Sequence, residues 1–249
     1  MQIEPAFDAF AAQDGQEQAQ VVWSRLISDL ETPVSAMLKL SASAKNAFLL
    51  ESVEGGAVRG RYSIIGLDPD LIWRAEGPRA EIKRNPAGGA AFEPCDKPTL
   101  DALRQLLAES AIELPDELPP MAAGVFGYMG YDTVRLIEHL PDVPPDRLGL
   151  PDALFIRPSV MVIFDAVRDE ITVVAPVRPA SGLNAQRAYN QATERITSVI
   201  ERLEAPLAHP ASDMDDAAFG TPRSNTAPEE FHKMVHRAKE YIEAGDVFQ

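Results

Sequence analysis

The residues best suited to chemistry lie in one short segment, FLLES, at positions 48–52. Glu51 supplies a carboxylate and Ser52 a hydroxyl, and leaving such groups buried without a partner costs about 1 to 3 kcal/mol each. One interpretation is structural: Glu51 pairs with Arg59 or Arg61, and Ser52 bonds to backbone, which is the commoner fate of such groups. The other is functional: both side chains face a pocket and bind a small zwitterion, whose ammonium group suits the carboxylate.

A β-hairpin is the element expected to hold these two residues. The segments Ala47–Val53 and Arg61–Leu67 predict its strands, and two glycines in the turn between them tolerate the positive φ of a tight hairpin. Side chains alternate along a strand, so Leu50 and Ser52 share one face while Glu51 lies on the other. Because both faces also carry large apolar groups, we expect the hairpin to be covered on both sides.

The rest of the chain predicts further hairpins and several helices. Apolar spacing predicts a helix over Gln16–Leu30 and another over Leu183–Leu203. Val34–Leu40 reads as a strand, and a long hairpin is expected from residues 154 to 176. Residues 1–14 look like a loose tail. Strands that come in hairpins favour an α+β fold of the α/β sandwich type, with a largely antiparallel sheet and packed helices.

A second informative segment, MAAGVFGYMGYD at 121–132, carries Gly124, Gly127 and Gly130 at every third residue. This spacing is not that of a dinucleotide-binding loop, and no Gly-Lys-Ser/Thr end marks a phosphate loop. Glycines inside a strand usually permit a close approach between backbones. The segment therefore predicts a strand packed tightly against a neighbour.

Composition excludes several classes of function. The 249 residues include 38 acidic and 23 basic side chains, a net charge of −15, and a strongly negative field repels nucleic acid. No apolar run is long enough to predict a membrane span, and the acidic start does not resemble a secretory signal. The single cysteine, Cys95, cannot form an internal disulfide, which fits a reducing cytoplasm.

The sequence predicts neither catalytic residues nor a metal site. His232 and His236 have the i, i+4 spacing that can hold a metal, but they share a polar helix face with charged neighbours, which favours a solvated face. Cys95 lies beside Asp96 and close to another acidic residue, and such neighbours raise the pKa of a thiol and disfavour a nucleophile.

The chain divides by composition into three parts. Residues 1–204 are expected to form one domain, and 205–227, rich in proline, small residues and aspartate, to form a linker. Residues 228–249 predict a helix stopped at Gly245, followed by apolar residues that look like the opening of another strand. We therefore expect this sequence to be the amino-terminal portion of a longer protein, with a second domain that begins at 228 and is truncated at 249.

Three segments carry a resemblance to a known family. LLES with the following RYSIIGLDP, the segment GYMGYD with a later arginine, and EYIEAGDVFQ resemble the anthranilate synthase component I family of chorismate-using enzymes. The matching positions in the second segment are Tyr128, Tyr131, Asp132 and Arg135. The resemblance covers nearly all of the chain and implies the amino-terminal part of that family's fold.

This resemblance implies a role for the first segment. LLES resembles the segment of the family that binds L-tryptophan, its feedback inhibitor. The resemblance therefore implies that Leu50, Glu51 and Ser52 bind tryptophan in this protein. Tyr62 and Ser63, across the hairpin, are weaker candidates. The second wall of that site would lie beyond the present sequence. Residues 1–204 would then be regulatory, and residues from 228 would open the chorismate-binding catalytic domain.

The resemblance also implies an activity. The family converts chorismate plus ammonia to anthranilate and pyruvate with Mg²⁺, and a glutamine amidotransferase subunit supplies the ammonia. Chorismate and magnesium are bound by the carboxyl-terminal half, so no catalytic residue is carried over to this sequence. Two alternatives remain open: the large subunit of aminodeoxychorismate synthase, which shares these segments, and a non-catalytic amino-acid-binding module.

Overall fold

The computed structural model describes residues 2–14, 18–42, 44–52, 60–179, 183–207 and 222–249. The chain divides into two compact units, Met1–Ala208 and His209–Gln249. This division falls within the segment 205–227 that the sequence predicts as a linker. The regulatory and catalytic roles assigned to the parts stay predictions.

One antiparallel sheet forms the frame of the first unit. In the described residues its strands are β1 (Gln20–Ile27), β2 (Phe48–Glu51), β3 (Tyr62–Glu76), β4 (Arg79–Arg84), β5 (Glu93–Pro94), β6 (Phe126–Met129), β7 (Ala153–Asp165) and β8 (Glu170–Val177). Their order is β1-β8-β7-β3-β4-β5, with β2 paired to β3 and β6 paired to β7. The predicted α+β class with an antiparallel sheet and packed helices is confirmed.

Both units also contain helices. The first unit contains α1 (Phe7–Asp14), α2 (Pro33–Ser41), α3 (Thr99–Ser110) and α4 (Ala185–Glu204), and the second contains α5 (Pro228–Ala244). The apolar residues of α4 recur at helical spacing, and they are buried. Gly245 ends α5 in the left-handed conformation that glycine adopts at low cost, as predicted.

The sheet buries apolar side chains on both faces. One face packs against α1, α2 and α4, and residues such as Ile65, Val162 and Phe164 lie in this cluster. The other face carries Ile64 and Met161 and is covered by the segment around residues 112–122. A third cluster joins β3 and β4 to α3. The continuous apolar run of β7 follows from this burial on both sides.

Two predictions of local structure are wrong near the amino terminus. The expected helix over Gln16–Leu30 contains β1, which pairs with β8 from Gln20 to Ile27. The β-branched residues of β1 point alternately to two buried faces of the sheet. Over so short a segment, this spacing of apolar residues cannot be told from that of a helix. The predicted strand over Val34–Leu40 is α2. Thr32 caps it, accepting a 3.1 Å hydrogen bond from the Ser35 amide.

The expected loose tail is also wrong. Residues 7–14 form α1, and Phe10 is only 1% exposed because it packs in the cluster that covers α4. Its ring lies 5.3 Å from that of Tyr189 in α4. One buried aromatic side chain therefore anchors a segment whose composition is otherwise acidic and polar.

Candidate functional site

The residues predicted to bind the inhibitor lie at the end of an edge strand. In the described part of the chain, β2 pairs only with β3, with Leu50 opposite Ile64 and Glu51 opposite Ser63. Its far edge therefore carries no strand, and its backbone groups remain available to another segment. The turn predicted between the two strands of this hairpin lies outside the described residues.

Burial changes abruptly along β2. Phe48 and Leu49 pack on opposite faces of the sheet, and the Phe48 ring lies 5.0 Å from that of Phe126. Leu50 is 51% exposed, and Glu51 and Ser52 are exposed as well. The expectation of a hairpin covered on both sides therefore holds for the beginning of β2 and is wrong from Leu50 onward.

Arg61 pairs with a residue that sequence reasoning did not consider. Its Nε donates to Oδ1 of Asp165 at 2.9 Å, and its Nη2 donates to Oδ2 at 2.6 Å. This hydrogen-bonded guanidinium lowers the pKa of the Asp165 carboxyl, with help from the Val167 amide. No ion pair joins Glu51 to Arg61 among the described residues, so that predicted pairing is wrong, and Arg59 lies outside them.

Tyr62 and Ser63 face opposite sides of β3. Tyr62 is half-buried against the face that carries Ile64, and the Arg61 guanidinium lies 4.8 Å from its ring centre. Ser63 is buried, 8% exposed, opposite Glu51. The structure thus places Leu50 and Tyr62 on one face of the ribbon, and Glu51 and Ser63 on the other.

A cavity of about 290 Å³ opens beside Tyr62. Its walls carry charged groups of both signs, which are Arg25, Arg61, Arg168, Asp116, Glu117, Asp165 and Glu170. Such a wall can accept the carboxylate and the ammonium of an amino acid at the same time. These residues come from strands and loops between Arg25 and Glu170, up to 145 positions apart, so no local sequence signal could have grouped them.

The glycine segment has a packing role. Gly127 lies in β6 opposite Phe155, and a side-chain carbon at this position would overlap the Leu154 carbonyl. The predicted close approach of two backbones is confirmed. Nearby, Arg135 donates to Asp132 at 2.6 Å and to the Leu140 carbonyl at 2.8 Å. These contacts hold a loop and supply no reactive group.

Comparison with known proteins identifies the family. The sequence model of chorismate binding enzymes matches residues 47–249. This chain belongs to the chorismate binding enzyme family. It is 49% identical to anthranilate synthase component 1 of Cereibacter sphaeroides, over 98% of this chain and 49% of that protein. It is 36% identical to anthranilate synthase component 1 of Thermus thermophilus, over 90% of this chain and 44% of the relative.

A solved structure shares the fold. The crystal structure of anthranilate synthase component I from Streptococcus pneumoniae superposes with a TM-score of 0.53 at 24% identity, over 90% of this chain and 46% of that one. At this identity the likeness concerns the fold alone. The chain spans about half the length of the family members that it matches.

The described part of this chorismate-binding family member holds no group of three or more His, Cys, Asp or Glu residues that could bind a metal. His232 and His236 are exposed on α5. Burial is the main cause that raises the pKa of the Cys95 thiol, and the charge of its neighbour Asp96 contributes less. None of the described helices is both long and apolar enough to cross a membrane.

Proposed function

We propose that this chain is the amino-terminal part of an anthranilate synthase component I in the cytoplasm. The whole protein would convert chorismate and ammonia to anthranilate and pyruvate, with a glutamine amidotransferase subunit as the ammonia source. The observation that carries this proposal is the 49% identity, over 98% of this chain, to a protein named anthranilate synthase component 1.

The regulatory part of the proposal concerns the end of β2. Leu50, Glu51 and Ser52 would form one wall of an L-tryptophan site, with Tyr62 and Ser63 as weaker contributors. Exposure of the first three residues supports this role, because a ligand can reach them without displacing core side chains. Leu50 and Tyr62, on one face of the ribbon, offer apolar surface to an aromatic ring. The Glu51 carboxylate, on the other face of the exposed strand end, suits an ammonium group that reaches it around the edge of β2.

Inhibition would act through relative affinity. Tryptophan held between this ribbon and a segment outside the present sequence would favour one arrangement of the whole protein over another. It can shift that equilibrium only by the difference between its affinities for the two arrangements. Among the strands that the structure describes, β2 pairs with β3 alone, which supports this scheme because a second wall could approach its other edge.

Magnesium belongs to the proposed activity of the whole protein. The described residues offer no three-carboxylate or histidine group to hold it, so its ligands would lie elsewhere in that protein.

Product analysis tests the proposed activity. The full-length protein, supplied with chorismate, ammonia and Mg²⁺, should release anthranilate and pyruvate in equal amounts, measured by mass spectrometry. Accumulation of 4-amino-4-deoxychorismate would instead assign the protein to folate synthesis. Absence of any chorismate consumption would leave amino-acid binding as the function.

Calorimetry on the 249-residue chain tests the regulatory role. Half of the proposed site is outside this chain, so tryptophan should bind it at least about a hundredfold more weakly than the full-length protein, a loss of about 2.7 kcal/mol. Equal affinity in the two proteins would identify a self-sufficient amino-acid-binding module.

A further inference from the structure

A group of arginines lies together at the opposite end of β7 from the β7–β8 turn. Arg157 is in β7, Arg178 directly follows β8, Arg195 is in α4, and Arg84 ends β4. We call these four residues the arginine cluster. The concentration of positive charge is unexpected in a chain whose net charge is −15.

Two carboxylates neutralise half of this charge. Asp70 accepts two hydrogen bonds from Arg157, at 2.7 and 3.1 Å. Glu109 accepts two from Arg84, at 3.1 and 2.9 Å. Both guanidinium groups are therefore held in the paired geometry that suits a carboxylate, and both acids are already engaged.

Arg178 is left without an acceptor. Among the described residues, its Nε and Nη2 atoms are buried and have no hydrogen-bond partner, and the same holds for Nε of Arg195. Burial lowers the pKa of Arg178 to about 10, and repulsion from Arg157 adds to this shift. The carboxylates of Asp70 and Glu109 offset this shift only in part. Buried guanidinium nitrogens without an acceptor are costly, so this part of the molecule favours binding of a further anion.

A cavity of about 370 Å³ adjoins these groups, lined by Arg84, Glu109, Arg157, Arg178 and small neighbours. We propose that it binds a small oxyanion carrying two negative charges, a phosphoryl group or a dicarboxylate, through the guanidinium of Arg178. Three of the four guanidinium groups line this cavity, and Arg195, which lines another cavity, adds its charge through its electrostatic effect on Arg178. With two carboxylates, the cluster keeps two uncompensated positive charges, which a dianion neutralises. The planar fork of arginine matches the paired oxygens of both ligand types.

Binding to the 249-residue chain tests this site directly. Inorganic phosphate, succinate and acetate are titrated separately at constant ionic strength, with calorimetry for all three and ³¹P line widths for phosphate. One dianion should saturate a single site, and acetate should bind at least about tenfold more weakly because it neutralises only one charge. Saturation by phosphate identifies a phosphoryl ligand, and saturation by succinate a dicarboxylate. Failure of both to saturate overturns the proposal.

Variants then locate the site. Arg178→Met keeps the length and apolar stem of the side chain, and it should weaken dianion binding about ten- to a hundredfold, as expected for losing charged hydrogen bonds. The matched control is Arg74→Met, whose guanidinium pairs with Glu81 beside a different cavity and should leave binding unchanged. Unchanged binding in Arg178→Met contradicts the proposal.

The expected stability of Arg178→Met separates a ligand site from a structural role. Removing an unpaired buried charge should leave the melting temperature without phosphate unchanged or higher, whereas removing a structural ion pair would lower it. If this variant does not fold, Arg84→Gln, at a half-exposed position in the same cavity, serves instead. Arg84→Gln should also weaken dianion binding, and an unchanged affinity in this variant contradicts the proposal.

Discussion

The end of β2 and the arginine cluster are both polar, and they differ in exposure. Glu51 and Ser52 are both exposed, so solvent reaches their side chains and can hydrate the Glu51 carboxylate at no cost in stability. Arg178 has two donor nitrogens that reach neither water nor an acceptor within the described residues. The end of β2 therefore carries no burial cost in the absence of a ligand and a second wall. The arginine cluster carries an electrostatic cost until an anion binds.

The largest expected effect comes from removing an acidic partner of the arginine cluster. Asp70→Asn should lower the free energy of unfolding by about 2 to 3 kcal/mol, because Arg157, only 8% exposed, loses its paired acceptor. Its remaining contacts with Glu109 and Ser110 keep the loss below that of an isolated buried charge. Urea unfolding of the 249-residue chain measures the change.

The control is an exposed ion pair of the same kind. Glu81→Gln breaks the pair with Arg74, in which both side chains are about 40% exposed, and should cost less than about 1 kcal/mol. Equal losses in the two variants would show that exposure does not distinguish these regions.

The next effect concerns the end of β2 in the full-length protein. Ser52→Phe should raise the tryptophan concentration for half-inhibition at least about tenfold, equivalent to about 1.4 kcal/mol, because a phenyl ring occupies space that the inhibitor needs. Turnover of chorismate should stay within about twofold, since no catalytic residue is placed here. Enzyme assays at increasing tryptophan measure both.

Ser198→Phe, at an exposed position on α4, is the matched control and should leave inhibition unchanged. A Ser52→Phe enzyme that loses turnover yet keeps its inhibition would contradict the assignment of the ribbon.

A smaller effect depends on pH at the base of the ribbon. The folded-state pKa of Asp165 lies below the ordinary value of 3.8, chiefly because Arg61 donates to it. A lowered carboxyl pKa contributes stability that is fully present above about pH 4 and is lost as the pH falls through the folded-state pKa.

Arg61→Gln should therefore destabilise the chain slightly at pH 7, and the difference from the wild type should shrink on acidification. Urea midpoints compared between pH 7 and pH 3 follow this change. A difference that grows as the pH falls would show that the pair does not act through the Asp165 carboxylate.

The smallest effect tests whether the end of β2 is outside the core. Leu50→Ala should change the free energy of unfolding by no more than about 0.5 kcal/mol, because the side chain is half exposed. The same truncation of a fully buried leucine costs about 2 to 5 kcal/mol. A loss of that size, measured by urea unfolding, would show that Leu50 packs in the core and would contradict its proposed role in a ligand site.

Much of the fold was predictable where a segment has one strong local pattern. The apolar stripe of α4 and the β7–β8 hairpin follow from helical spacing and from a turn between two apolar runs. The prediction failed at β1 and α2, two short segments. There, apolar residues on both faces of a strand gave the pattern of a helix, and the short apolar run of α2 gave the pattern of a strand.

The candidate site was predictable only in part. The resemblance of the segment LLES to the family identified Leu50, Glu51 and Ser52 as candidates, and their role in binding the inhibitor stays a prediction. The partner of Arg61 was missed, because Asp165 lies 104 residues away and reaches it only through the pairing of β3 with β7. Long-range pairing of this kind leaves no periodicity within either segment.

By itself the sequence determined the family, the antiparallel class and the tight packing at Gly127, because each depends on a local string or a local spacing of side chains. Only the tertiary structure decided which face of the sheet each residue occupies, and it alone brought the arginine cluster together from two strands, a strand end and a helix. The physical reason is that burial and charge pairing depend on distances in space, which strand order sets and local sequence does not.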